Sequence, residues 1–255
     1  MIREEDEPLA REFHRDFCQS WGISKPLRSA DIRSRSDDFH WLSNLNAEMQ
    51  SHFYETLYKM MASAPVLGIA CVVDRPGYND RYKGRYGEKR WLLCKTAFAV
   101  VVERAAKYAR KLGYKMRVFP ERGDPDADRR AKTYYAELQA TGMPFAAATS
   151  EKYGPLSATD FRETLYDFKT KFKSSPMAQL ADLYLWPMCM GGYNPNVLPY
   201  RRLLEDRKLV DCHLSDEEKP HLGIKYSCWE LVEAQKTKAR DSSRALGQPP
   251  DGATS

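Results

Sequence analysis

An uninterrupted apolar run, Val66-Leu67-Gly68-Ile69-Ala70-Cys71-Val72-Val73, lies between Pro65 and Asp74. The run is rich in β-branched residues and is too short for a helix that would bury all of its faces. Continuous apolar runs of this length are typical of strands that are covered on both sides in a parallel sheet. The run therefore predicts a central strand, with Asp74 at its carboxyl end.

Helical spacing precedes this strand and returns after it. Within residues 42–61, apolar side chains recur in steps of three and four, which predicts a helix that faces the core. A basic, tyrosine-bearing loop is expected at residues 77–87. The same spacing over residues 91–112 then predicts a second long helix, which Gly113 ends.

The next segment alternates between strands and helices. We expect a strand at 115–119, a helix that begins near Asp126 and Asp128 and ends at Gly142, a short strand at 145–148, and a helix at 177–186 that Pro187 ends or kinks. Residues 150–176 fit either a helix or, over 168–173, an edge strand with alternating lysines. Strands that alternate with helices of this length indicate an α/β domain.

The C-terminal part is less regular from about residue 194. It contains a short helix at 198–207 and a last apolar cluster at 224–232. From Lys236 onward the chain has no aromatic residue and is rich in Pro, Gly and Ser, so it cannot bury enough surface to become ordered. We therefore expect a single domain over residues 1–235 and a disordered tail over residues 236–255.

Composition narrows the class of protein. The 255 residues are 42% hydrophobic, which allows a sizeable core, and the net charge of +5 permits binding to nucleic acid without requiring it. No apolar run reaches the roughly 18 residues of a membrane helix, and the first residues are acidic where a secretion signal would be basic. The sequence favours a cytoplasmic protein that does not enter a membrane.

The common catalytic motifs are missing. The chain lacks G-x-S-x-G, G-x-x-x-x-G-K-[ST], G-x-G-x-x-G and H-E-x-x-H, and its six cysteines include no C-x-x-C pair. The remaining candidates for chemistry are carboxylates: Asp74 and Glu121 at the ends of predicted strands, and Asp182 between apolar helix residues. Turn formation explains the first two equally well, and a solvent-facing position explains the third.

Three short motifs resemble a known family. Residues 72–75 (Val-Val-Asp-Arg), 120–124 (Pro-Glu-Arg-Gly-Asp) and 174–183 (Ser-Ser-Pro-Met-Ala-Gln-Leu-Ala-Asp-Leu) are similar, in order and spacing, to the bacterial and phage family called domain of unknown function 3800. The resemblance covers about residues 26–194. It implies a ribonuclease-H-like fold, which is a mixed sheet flanked by helices, and a nuclease of phage, defence or mobile-element systems.

The resemblance also implies a site. Asp74, Glu121 and Asp182 match the acids of the family, which makes them the expected catalytic residues and ligands of Mg²⁺ or Mn²⁺. Two such ions need several carboxylate oxygens, and they stabilise both the attacking and the leaving oxygen of a phosphodiester. Basic side chains near these motifs are candidates for phosphate contacts, namely Arg75, Arg81, Lys83, Arg85 and Arg122.

The sequence departs from the family at its start. Members open with strands of which the first carries Asp-Glu-Ser-Gly, and this sequence has no such motif. Without those strands a sheet edge would be exposed. Either Met1 is an internal methionine of a longer chain, or the protein has lost catalysis and a homodimer or a partner protein covers the edge.

Two other functions remain open from the sequence. The protein could be a non-catalytic module that binds single-stranded nucleic acid or a protein through the basic, tyrosine-bearing segment 77–90. It could also be a purely structural interaction protein, which would depend neither on metal nor on nucleic acid.

Overall fold

The structure of the protein is a computed structural model that describes residues 1–87, 93–230 and 232–233. The helices in this part are α1 (Glu7–Ser20), α2 (Ser29–Ser34), α3 (Ala47–Ser63), α4 (Arg75–Tyr86), α5 (Leu93–Lys111), α6 (Pro125–Thr141), α7 (Ala147–Ser150), α8 (Ala158–Thr164), α9 (Pro176–Tyr193), α10 (Leu198–Glu205) and α11 (Lys219–Leu222). The strands are β1 (Cys71–Val73), β2 (Met116–Val118), β3 (Leu165–Phe168) and β4 (Lys225–Ser227). The predicted α/β class is confirmed.

The strands form two parallel pairs. β1 pairs with β4, so that Val72 lies opposite Tyr226, and β2 pairs with β3, so that Val118 lies opposite Phe168. A further parallel bridge joins Glu121 to Lys171 and extends the second pair beyond its strands. Helix α5 packs against both β1 and β2. The two pairs therefore share one supporting helix.

Two clusters of buried side chains hold these elements together. The larger lies between α1, α3 and α9 and includes Phe39, Phe53, Leu180 and Tyr184. The smaller lies between α5, α6, α8 and the β2–β3 pair and includes Ala106, Leu138, Phe161 and Leu165. One face of the β2–β3 pair is thus buried.

Local signals explain several helix boundaries. The Asn46 side chain accepts a hydrogen bond from Met49 N and starts α3, and the Asp124 side chain accepts one from Ala127 N and starts α6. Gly113 and Gly142 take positive φ values of 76° and 79°, which suits glycine at the end of a helix. The second long helix, the strand at 115–119 and the helix after Asp126 are confirmed.

Other predictions were wrong in detail. Residues 75–86 form α4 instead of a loop, because the Asp74 side chain caps the segment and Pro76 suits the first turn of a helix. Residues 147–150 form a helical turn instead of a strand, since four residues do not reveal a period. α9 continues through Pro187 to Tyr193, where packing against α10 outweighs the loss of one backbone hydrogen bond.

One ambiguity is resolved, one predicted strand is shorter than expected, and one predicted region lies outside the described residues. Residues 150–176 contain both a helix, α8, and a strand, β3. The apolar run at 66–73 forms a strand only over its last three residues.

Residues 236–255 lie outside the described residues, so the expected tail stays a prediction. Among the described helices, none combines the length and the apolar character that a membrane span needs.

Candidate functional site

Asp74 is buried at the start of α4. It is 3% exposed, its Oδ2 accepts a hydrogen bond from Gly77 N at 2.8 Å, and its Oδ1 accepts one from the Tyr193 hydroxyl at 2.7 Å. Burial and this hydrogen bond raise the pKa of Tyr193 to about 12. Both oxygens of Asp74 are therefore engaged by the protein itself, one in capping a helix and one in holding the end of α9.

Asp182 binds backbone instead of facing a cleft. Its Oδ2 accepts a hydrogen bond from Ser29 N at 2.7 Å, at the start of α2. Asp182 precedes Tyr193 by eleven residues on α9, which corresponds to about 16 Å along the helix axis. Asp74 thus contacts the last residue of α9, whereas Asp182 lies in the second turn of the same helix.

Gln179 belongs to the same motif and makes the same kind of contact. Its Oε1 accepts hydrogen bonds from Leu27 N and from His14 Nε2, each at 2.8 Å. Because this oxygen accepts, Nε2 of His14 carries the proton. Burial lowers the pKa of His14. Gln179 and Asp182 therefore fasten the segment that leads into α2 onto α9.

Glu121 lies at the far end of β2, exposed to solvent. Its Oε1 is 3.5 Å from Lys173 Nζ, and its backbone bridges to Lys171. Across the residues described, no group of three or more His, Cys, Asp or Glu side chains could hold a metal ion. The three acids that the sequence singled out do not form a ligand set for Mg²⁺ or Mn²⁺, since Asp74 and Asp182 are already engaged by N–H and O–H donors and Glu121 by an ammonium group.

The predicted phosphate-binding residues divide between two places. Arg75, Arg81 and Lys83 are exposed on α4, where Arg81 forms an ion pair with Glu230. The side chain of Arg85, on the same helix, lies outside the described residues. Arg122 instead follows β2, with its guanidinium 4.5 Å from the centre of the Phe172 ring and its Nε 3.6 Å from Asp128.

An exposed aromatic surface surrounds Arg122. The rings of Phe119, Tyr166 and Phe172 are 41%, 51% and 61% exposed, and each has a cation over it. The distances from cation to ring centre are 4.7 Å at Phe119, 5.2 Å at Tyr166 and 4.5 Å at Phe172. We call this surface the aromatic strip; it consists of the pairs Phe119 and Lys171, Tyr166 and Arg117, and Phe172 and Arg122.

The backbone of the β2–β3 pair explains the strip. Side chains alternate between the two faces of a strand, so Met116 and Val118 point into the smaller core while Arg117 and Phe119 point to solvent. Lysines alternate over 168–173 as in the predicted edge strand, but β3 ends at Phe168, and beyond it Lys171 alone of these residues makes a β-bridge. The strip could not be predicted from the sequence, because it depends on β2 and β3 lying side by side, although they are separated by more than 40 residues.

Comparisons with known proteins give one informative relative. No family model matches the chain, and no solved structure matches it. The uncharacterized protein y4pM of Sinorhizobium fredii is 35% identical over 219 residues, which are 84% of this chain and 78% of that protein. An identity of this level over most of both chains shows common descent, and the chain therefore belongs to the family of y4pM.

Proposed function

We propose that this protein binds single-stranded nucleic acid through the aromatic strip. The observation that carries the proposal is the set of three exposed rings, each paired with a cation, on the β2–β3 pair and just beyond its carboxyl end. Exposed aromatic rings offer stacking surfaces to unpaired bases, and cations beside them neutralise phosphates. Stacking contributes about 1–3 kcal/mol per base.

The position of the strip supports the same function. Phe119, Arg122 and Phe172 follow the carboxyl ends of the parallel strands β2 and β3. In open α/β sheets, ligands bind outside the carboxyl ends of the strands. The strip contains three cations, Arg117, Lys171 and Arg122, of which Arg117 also pairs with Glu4 and Arg122 with Asp128.

We further propose that the chain is a divergent ribonuclease-H-like protein related to the family of domain of unknown function 3800. The order of elements supports this proposal: a strand ending in Asp74, a long helix, the parallel crossover from β2 to β3, and the helix that carries Gln179 and Asp182. In this protein the polar residues of the last motif stabilise the fold. The metal-dependent nuclease that the resemblance implies stays a prediction.

Binding can be measured by the fluorescence anisotropy of labelled single-stranded DNA and RNA, with duplexes of the same sequence beside them. We expect single strands to bind more tightly, and Phe172→Ala to weaken binding about fivefold or more. Leu9→Ala, on α1, removes another exposed apolar side chain, 44% exposed against 61% for Phe172, and serves as the matched control. Equal affinity of Phe172→Ala and the wild-type protein would contradict the proposal.

Two further variants separate the strip from the alternative surface on α4. Lys171→Gln should weaken binding and reduce its dependence on salt, whereas Lys83→Gln should change neither. The opposite result would assign binding to α4. Cleavage of the labelled strand that requires Mg²⁺ or Mn²⁺ and is lost in Asp182→Asn would favour the nuclease instead.

A further inference from the structure

One edge of β2 has no neighbouring strand. The backbone groups of even-numbered residues face β3, as in the bonds from Lys169 N to Val118 O at 3.1 Å and from Lys171 N to Pro120 O at 2.8 Å. Because N–H and C=O groups alternate between the two edges of a strand, those of Arg117, Phe119 and Glu121 point the other way. No described strand pairs with this second edge.

The open edge is accessible. Arg117, Phe119 and Glu121 are all exposed. A parallel pair that is covered on one face only is an incomplete sheet, and a free edge such as that of β2 readily pairs with another strand. Pro120 does not obstruct pairing, because its nitrogen, which carries no hydrogen, lies on the β3 side.

The charges along this edge are self-complementary. Arg117 and Glu121 have opposite charge and flank Phe119 at equal spacing. Within one chain Arg117 pairs with Glu4 and Glu121 with Lys173, both at the surface, so dimerisation exchanges these partners. In an antiparallel pair centred on Phe119, Arg117 lies opposite Glu121 of the partner subunit, and Glu121 lies opposite the partner's Arg117. A two-fold interface requires this reciprocity, and both opposite charges and paired aromatic rings stabilise neighbouring strands.

We propose that two copies of this chain dimerise by antiparallel pairing of their β2 edges, with Phe119 at the two-fold axis. The pairing joins two β2–β3 pairs into one four-stranded sheet. It also places Phe119 of both copies on one continuous face, because paired residues of neighbouring strands share a face. The proposal rests on the edge and its charges, and it holds whether or not the strip binds nucleic acid.

Reversing the charge of Arg117 or of Glu121 tests the proposal. Mass measured by sedimentation or light scattering over a wide range of protein concentration, on protein free of nucleic acid, should show a monomer–dimer equilibrium for the wild-type chain. Arg117→Glu and Glu121→Arg should each be monomeric at the same concentrations, because like charges then face each other across the axis. An equimolar mixture of the two variants should regain the dimer, since each charge then meets its opposite.

Recovery in the mixture also excludes misfolding as the cause of the loss. Arg129→Glu, an exposed charge reversal on α6, should dimerise like the wild-type chain and serves as the control. A wild-type chain that is monomeric at every concentration would overturn the proposal, as would a dimer that Arg117→Glu leaves intact or a mixture that stays monomeric.

Discussion

The α9 motif and the aromatic strip use polar residues in opposite ways. On α9, Gln179 accepts hydrogen bonds from the backbone N–H of Leu27 and from the ring of His14. Asp182 accepts one from the backbone N–H of Ser29. On the strip, Arg122 and Lys171 lie over exposed rings at the surface. In the first arrangement the bonded oxygens serve contacts within the chain, and in the second the exposed rings lie where a ligand can reach them. A motif that suggests catalysis can thus have a purely structural role in the folded chain.

The largest expected difference between these regions is in stability. Gln179→Ala removes the acceptor for two buried donors and should lower the free energy of unfolding by about 3 kcal/mol, because an unpaired buried donor costs about 1–3 kcal/mol. Phe172→Ala removes more atoms but should change the free energy of unfolding by less than about 0.5 kcal/mol, since Phe172 is exposed. Unfolding in urea measures both values.

A matched control accompanies this prediction. Gln19→Ala, at an exposed position of α1, should leave the unfolding midpoint unchanged. If Phe172→Ala destabilised the protein as much as Gln179→Ala, the strip would be part of the core packing and the contrast between the regions would disappear.

The second prediction concerns Asp182 and metal. Asp182→Asn keeps an oxygen that can accept from Ser29 N but loses the charge, so we expect a loss of about 1 kcal/mol in stability. The melting temperature of the wild-type chain should be the same in EDTA and in Mn²⁺, because Asp74 and Asp182 are engaged by protein donors and Glu121 by Lys173. A rise with Mn²⁺ that Asp182→Asn abolishes would show that the acids bind metal.

The smallest expected effect is a pH dependence centred on His14. Burial lowers the pKa of His14 below its ordinary value of 6.5, so the folded state binds a proton less readily than the unfolded state. Its contribution to stability is complete above pH 6.5 and is lost as the pH falls from there toward the lowered pKa of the folded state. Urea midpoints measured on both sides of pH 6.5 should show the decline.

Substitution identifies the source of this decline. His14→Asn should flatten this part of the pH profile, whereas His213→Asn, at an exposed position, should leave it as in the wild-type chain. An unchanged profile in His14→Asn would assign the dependence to another group.

The sequence predicted those elements whose signals are local. The helix from Leu93, the strand β2 and the helix capped by Asp124 follow from periodicity, glycine stops and capping residues. The helix α4 carried the same kind of signal, an Asp74 cap followed by Pro76, but its polar composition concealed it. Packing decided the path of α9 through Pro187.

Much less of the candidate site could be predicted from the sequence. The sequence alone determined that Asp74 and Glu121 follow strands and that Asp182 lies on a late helix, because neighbouring residues fix those positions. Only the tertiary structure decided that Asp182 binds Ser29 and that Phe119 lies beside Lys171. These two contacts join residues that are 153 and 52 positions apart, and their register is set by the burial of whole faces in two separate cores instead of by any local pattern.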